Sequence, residues 1–322
     1  MKLQRVLTLN MFGDDVKYLQ TKLKENGFLK GNIDSNFGQN TLVAVINLQK
    51  ILNVKADGVV GSMTWNKLEN YNKEVTATDI PNHVSHIGSN GLKIYDHLLD
   101  EEEYVKEETK KDTIWLHGSL GGSRPDWTIG GWTKDILKDK KGNPILDQNG
   151  QIQPLKVANS YVIGRKSSST DEEIWDGKIL KSFEDKYWAY HLDVPSSESY
   201  DLNSRSVGIE FCNYGPLTIG RDGRFYNIVS KPISEKDVIK LDNKFRGYEY
   251  FEKYTDAQID SARKLIIYLI NKWAIQIDGK IYNESWFGVN TYEKGIKSAS
   301  QIKSSDVSIF PQKEMIQMLN SI

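Results

Sequence analysis

The residues best suited to chemistry gather around one histidine. Residues 114–122 read Ile-Trp-Leu-His-Gly-Ser-Leu-Gly-Gly. The apolar run predicts a short buried strand that delivers His117 into a glycine-rich loop, where uncovered backbone lets a ligand approach closely. A neutral imidazole placed there can bind a metal or carry a proton. It can equally sit under the loop with both nitrogens satisfied by backbone groups. Nothing else in the chain offers a self-contained site. His83 and His86 are three residues apart, but Pro81 and the loop composition around them argue against the helix that would aim both at a metal, so a solvated pair is expected. Cys212 is the single cysteine, which excludes an internal disulfide, and its apolar surroundings predict buried packing. His-Glu-x-x-His, phosphate-cradling glycine loops and paired cysteines are all missing from the sequence.

The elements that must position His117 fall into two groups. From residue 91 onward, strand-like segments recur at 114–116, 160–164, 179–183 and 207–212. A helix-like stretch carries Leu92, Tyr95, Leu98 and Leu99, and helical patterns occupy 254–275 and the end of the chain. Alternating strands and helices predict an α/β domain, a mixed central sheet flanked by helices. The helix after Thr255 opens on a capping-box pattern with Gln258 and turns Ile259, Ala262, Leu265, Ile266, Leu269 and Ile270 inward, which makes it core.

Residues 1–70 predict a small all-α domain of three helices. Apolar residues recur at helical spacing (Val16, Leu19, Leu23; then Leu42, Val45, Ile46), and a short duplication is visible. Ile33-Asp34-Ser-Asn-Phe37-Gly38-Gln-Asn-Thr41 is echoed by Ala56-Asp57-Gly58-Val-Val60-Gly61-Ser-Met-Thr64. Each copy reads as a turn that starts a helix, with aspartate and glycine in the turn and threonine near the cap. Between the two groups, residues 71–90 lose periodicity and collect Pro81, Asn82, Gly88, Ser89 and Asn90, the composition of a linker. The expected organisation is 1–70, a linker at 71–90, and 91–322.

The first unit resembles the small helical peptidoglycan-binding domain attached to cell-wall hydrolases. The match runs through Gly13-Asp14-Asp15-Val16, Leu19-Gln20, Gly27, Ile33-Asp34, Phe37-Gly38, Thr41, Val45, Gln49, Asp57-Gly58, Val60-Gly61 and Thr64-Trp65 to Leu68. The second unit resembles the zinc-dependent N-acetylmuramoyl-L-alanine amidases of phage lysins and peptidoglycan recycling. That match rests on residues 114–122, Tyr161-Val-Ile-Gly-Arg165, Gly177-Lys-Ile179, Tyr187-Trp-Ala-Tyr-His191, Arg205-Ser-Val-Gly-Ile-Glu210 within 203–213, Tyr254-Thr255 with Gln258, and Lys303 with Asp306.

The resemblance implies cleavage of the amide between muramic acid and the first stem-peptide residue. In such a site a zinc on three protein ligands polarises the carbonyl and lowers the pKa of its bound water to roughly 7. His117 falls on the first ligand position, Asp306 on the carboxylate ligand, and Glu210 on the residue that assists the water. Lys303 is a second catalytic candidate, one place before the usual lysine position, which Ser304 holds. Trp188, Tyr190, His191 and Asn213 fall on the cleft and are candidates for substrate contact, whereas Trp115 is expected in the core. The second histidine ligand of the pattern has no counterpart: residues 288–300 contain no histidine, and Tyr292 or a nearby polar residue stands there instead. Asn159 and Ser160 replace a histidine or tyrosine common in the strand before Val162. His191 is the one other histidine that could complete a zinc site, if the fold brings it to His117.

Bulk properties narrow the alternatives. A chain of 322 residues with 39% hydrophobic and 26% charged residues is ordinary globular material, and a net charge of -1 argues against a nucleic-acid partner. No stretch approaches the ~20 apolar residues of a membrane span. The first residues lack the apolar core of a secretory signal, so synthesis in the cytoplasm and delivery to the bacterial wall by phage lysis, a virion or an injection apparatus is expected. Two functional readings stand: a zinc amidase of the endolysin kind acting in peptidoglycan catabolism, or a catalytically inactive wall-binding or structural virion protein with a degenerate zinc site. Phage or injection-particle proteins are partners under either.

Overall fold

The structure is a computed structural model, and it describes residues 5–26, 28–29, 31–52, 54, 56–69, 84–88, 90–133, 136–147, 153–167, 173–194, 196–277, 282, 294–302 and 305–322. His83, Tyr292 and Lys303 lie outside the described residues. The chain divides into two compact units: Met1–Asp79 with Thr133–Leu155, and Ile80–Trp132 with Lys156–Ile322.

In the first unit the three expected helices form: α1 (Asp14–Glu25), α2 (Gln39–Ile51) and α3 (Ser62–Glu69). Val16, Leu19 and Leu23 of α1 meet Val45 and Leu48 of α2, Trp65 and Leu68 of α3, and Phe37 and Val60 from the turns. The duplication in the sequence is a duplicated polar knot. The Gln20 amide donates to the Asp34 carboxylate (2.7 Å), the Asn36 carbonyl (2.9 Å) and the Thr41 hydroxyl (3.0 Å), while its oxygen accepts from the Asp34 and Ser35 N–H groups. Gln49 repeats the pattern one motif later on Asp57 (3.1 Å), the Val59 carbonyl (2.9 Å), Thr64 (3.3 Å) and the Gly58 N–H (2.8 Å). Both glutamines are almost wholly buried. A buried polar side chain is tolerated when its donors and acceptors are matched, and these match two turns to the helices that follow them.

The second unit is an α/β structure. Its main sheet has the order β1-β2-β5-β4-β6-β3-β12, from β1 (Val84–Ile87), β2 (Lys93–Asp96), β3 (Thr113–Gly118), β4 (Tyr161–Ile163), β5 (Ile179–Lys181), β6 (Ser206–Phe211) and β12 (Gly295–Ser298). The central strands β4, β6, β3 and β12 are parallel, while β4–β5 and β1–β2 pair antiparallel, so the sheet is mixed as expected. Side chains alternate across a strand. One face carries Ile114, Leu116, Val207, Ile209 and Phe211 into the main core, where they meet Ile259, Ala262, Leu265, Ile266 and Leu269 of α6 (Asp256–Trp273). Thr255 caps that helix through the predicted box with Gln258, and α7 (Lys313–Asn320) closes the same core. The opposite face carries Trp115, His117, Gly208 and Glu210.

Two expectations differ from the fold. The helix anticipated around Leu92–Leu99 is β2: Leu92 and Ile94 are buried two residues apart while Leu98 is 56% exposed, so the helix-like spacing of four apolar residues was coincidental and pairing with β1 and β5 decides. Within the stretch read as linker, Val84–Ile87 forms β1, and His86 packs against the Tyr268 ring at 4.5 Å rather than standing in solvent. A second, five-stranded antiparallel sheet, β10-β11-β7-β8-β9, is built from β7 (Pro216–Ile219), β8 (Phe225–Tyr226), β9 (Pro232–Ile233), β10 (Val238–Phe245) and β11 (Tyr248–Glu252). The sequence reading assigned no strands there. Two shorter helices, α4 (Pro125–Trp132) and α5 (Ser196–Ser204), complete the unit.

Candidate active site

The site forms at the carboxyl ends of β3 and β6. Cα pairing sets His117 beside Glu210 and Glu210 beside Val162 of β4. Neighbours in a parallel ladder point to the same face, so the imidazole and the carboxyl emerge together. Each is 8% exposed. The Glu210 carboxylate accepts a hydrogen bond from the Asn159 amide. Asn159 can reach it because residue 208 is glycine: a Cβ there would stand 2.0 Å from the Asn159 oxygen.

Asp306 arrives from the C-terminal segment. A Cβ on Gly118 would lie 1.8 Å from the Ser308 carbonyl oxygen, so the chain after Asp306 crosses directly over the end of β3, and only glycine permits it. The Asp306 carboxylate accepts the Ser308 N–H at 2.7 Å, and its backbone carbonyl accepts from Arg246. Its negative charge bears on both His117 and Glu210. Burial pushes the Glu210 carboxyl up to about 8, and the Asp306 charge adds to this while the Asn159 bond opposes it. Burial pushes His117 down to about 4, with Asp306 opposing, and pushes His191 well below the usual histidine range, with the nearby His117 and Lys111 adding to it. At neutral pH the site therefore holds two neutral imidazoles and a protonated glutamic acid.

His191 does reach His117. Its Nδ1 lies 3.0 Å from His117 Nε2, and its Nε2 lies 2.9 Å from the Ser206 hydroxyl. The backbone around it is held by Asn203 at the end of α5, whose side-chain oxygen accepts the N–H of His191 (2.8 Å) and of Leu192 (3.0 Å). The other cleft candidates divide. Tyr190 is 38% exposed. Trp188 is 3% exposed, donates its Nε1–H to Glu107 (3.0 Å) and meets Tyr190 edge-on at 5.3 Å, so it supports the wall from behind. Asn213 is fully buried, donating to the Glu252 carbonyl (2.7 Å) and accepting from Gly215 N–H (2.6 Å). Its amide serves the chain. Trp115 is core, against Leu192 and Leu202, as expected, and so is the buried Cys212.

The described residues do not fit a three-ligand zinc. Among the described residues no three His, Cys, Asp or Glu side chains converge on a metal position. The two imidazoles that do meet are hydrogen-bonded to each other. On the other side of β3 the ladder with β12 ends at Ser298 opposite Leu116, and the chain turns there into the 3-10 turn Ala299–Gln301.

Two residues of the site are not among the sequence-based candidates: Ser206 and Asn203. Ser206 was accessible, because strand alternation puts residues 206, 208 and 210 on one face. Asn203 was not, because only the fold brings the end of α5 to the His191 backbone.

Comparison with known proteins agrees with this architecture. Residues 12–68 match the model of a peptidoglycan binding domain, and residues 138–298, half of the chain, match that of N-acetylmuramoyl-L-alanine amidase. A spore cortex-lytic enzyme of Oceanobacillus iheyensis is 36% identical over 89 residues, 26% of this chain and 32% of that protein. The N-acetylmuramoyl-L-alanine amidase CwlM of Mycobacterium tuberculosis is 38% identical over 58 residues, 18% of this chain and 14% of its own. Among solved structures, the SleB N-terminal domain is 34% identical, with 22% of this chain and 96% of that one covered, at a TM-score of 0.22. The matched region thus spans about a third or less of these curated relatives. The half-chain family match is the broader finding, and by it this chain belongs to the N-acetylmuramoyl-L-alanine amidase family.

Proposed function

We propose that the protein is a peptidoglycan-directed amidase: residues 1–70 hold it to the wall, and the domain of residues 91–322 hydrolyses the amide between muramic acid and the stem peptide. The observation that carries this is the pairing of His117 with Glu210 at the carboxyl ends of adjacent parallel strands, with the Glu210 carboxyl held near 8. A general acid–base works best with a pKa near the working pH. Glu210 gives its proton to the leaving amide nitrogen and recovers one from the attacking water, so the C–N bond breaks and a carboxylic acid and an amine result, the acid then passing its proton to the amine. Asn159 fixes the carboxyl in place, and the exposed Tyr190 ring offers a face for a sugar or a peptide methyl. Lys303 is a second candidate for proton handling. No described helix is long and apolar enough to cross a membrane. Delivery by phage lysis, a virion or an injection apparatus suits a wall-directed protein of this build, whose companions would be particle proteins.

The test is digestion of purified sacculi. New amino termini without new reducing sugar ends are expected, and Glu210→Gln should abolish them. Hydrolysis unchanged in Glu210→Gln would remove the proton-handling role. Sedimentation with sacculi but no released amines would leave a non-hydrolytic wall-binding protein.

A further inference from the structure

We infer that this centre is built to operate without a resident metal: His117, His191, Ser206 and the Leu202 carbonyl form a hydrogen-bonded relay that takes up the two ring nitrogens facing each other across the cleft. The inference concerns the same cleft as the proposed amidase reading and rests on it only in the activity arm of the test.

The directions of the bonds follow from what each atom can do. The Leu202 carbonyl, 2.7 Å from the Ser206 hydroxyl, can only accept, so the Ser206 proton points to it. Ser206 Oγ must then accept from His191, which places a proton on His191 Nε2. A neutral imidazole carries one proton, so His191 Nδ1 is a bare acceptor and the proton in the 3.0 Å contact belongs to His117 Nε2. The two nitrogens that face each other are thus a matched donor and acceptor. Distance alone would not settle this, since two nitrogens roughly 2.0–2.1 Å from a tetrahedral zinc lie about 3.3 Å apart. The protons settle it: a metal would require His117 to move its proton to Nδ1 and His191 to break from its partner.

The surroundings reinforce the arrangement. Asn203 pins the His191 backbone through two N–H groups, so the ring cannot swing away cheaply. Asp306 has one oxygen on Ser308 N–H. His191 and Ser206 are therefore positioning residues that set the tautomer of His117, and His117 Nδ1 is left as the acceptor.

The experiment uses the full chain, incubated with zinc and exchanged into metal-free buffer, with His117→Ala alongside. Zinc per chain is expected to be equal in the two proteins and at background. Long-range 1H–15N spectra should show both His117 and His191 as neutral Nε2–H tautomers, unchanged by equimolar zinc. Stoichiometric zinc in the wild type that is lost in His117→Ala, or imidazole nitrogen shifts that move with zinc, would overturn the inference. Should His117→Ala fail to fold, the wild-type spectra decide alone. Hydrolysis of sacculi that survives a chelator agrees with the inference, whereas hydrolysis lost to chelator and restored by zinc refutes it and leaves the amidase reading standing. Absence of hydrolysis would sink that reading and leave the spectra to judge the relay.

Discussion

Replacing Glu210 with glutamine should make the protein more stable while removing its activity, and the gain should depend on pH in a defined sense. The folded chain holds the Glu210 proton up to about 8, whereas an unfolded glutamate loses it near 4.3. Between those values the folded state binds more protons than the unfolded one, so wild-type stability falls as pH rises through the window. At pH 7 the cost is about 4 kcal/mol, from a gap of about 2.7 pKa units between pH 7 and the unfolded value at 1.36 kcal/mol each. Glutamine is nearly isosteric, carries no charge and can still accept the Asn159 hydrogen bond, so it escapes this cost. Urea unfolding of both proteins at several pH values should give similar midpoints near pH 4–5. The variant should pull ahead progressively toward pH 8 and keep a constant lead above it. Curves that stay parallel from pH 5 to 9 would show that Glu210 is not a buried proton holder, and the acid–base role would fall with it.

Other perturbations read out the scaffold. Gly118→Ala drives a methyl group to within 1.8 Å of the Ser308 carbonyl oxygen, a backbone clash that should cost about 3 kcal/mol. The urea midpoint should fall accordingly; an unchanged midpoint would mean that the C-terminal segment does not cross β3 as described. Gln20→Ala strips partners from the Asp34 and Ser35 N–H groups in the first unit and should cost about 3 kcal/mol there. Hydrogen exchange across residues 5–69 should accelerate while β3 and β6 keep their protection, and sedimentation with sacculi should weaken.

Much of this protein was determined locally and was legible in order. The helix from Asp256 to Trp273 declares itself through its cap and its apolar stripe, and β3 and β6 through short apolar runs ending in a histidine and a glutamate. The duplicated aspartate–glycine–threonine motif announced two helix-starting turns, because turn and cap chemistry acts over a few residues. Helix spacing misled at Leu92–Leu99, where hydrogen bonds to β1 and β5 outweigh a chance periodicity. The antiparallel sheet of residues 216–252 was invisible for a related reason, since its short strands alternate weakly and leave Ile219 and Tyr248 exposed.

What only tertiary structure decided is which side chains meet. The sequence supplied His117, His191, Glu210 and Asp306 as candidates, but pairing His117 with His191 requires residues 74 apart to lie within hydrogen-bond reach. The crossing of β3 by the C-terminal segment rests on one glycine against one carbonyl. Local propensity carries no information about such contacts, because they arise when sheet order and register close loops of many residues. The protons in the cleft follow the same rule: burial and neighbours set them, and both exist only once the chain has folded.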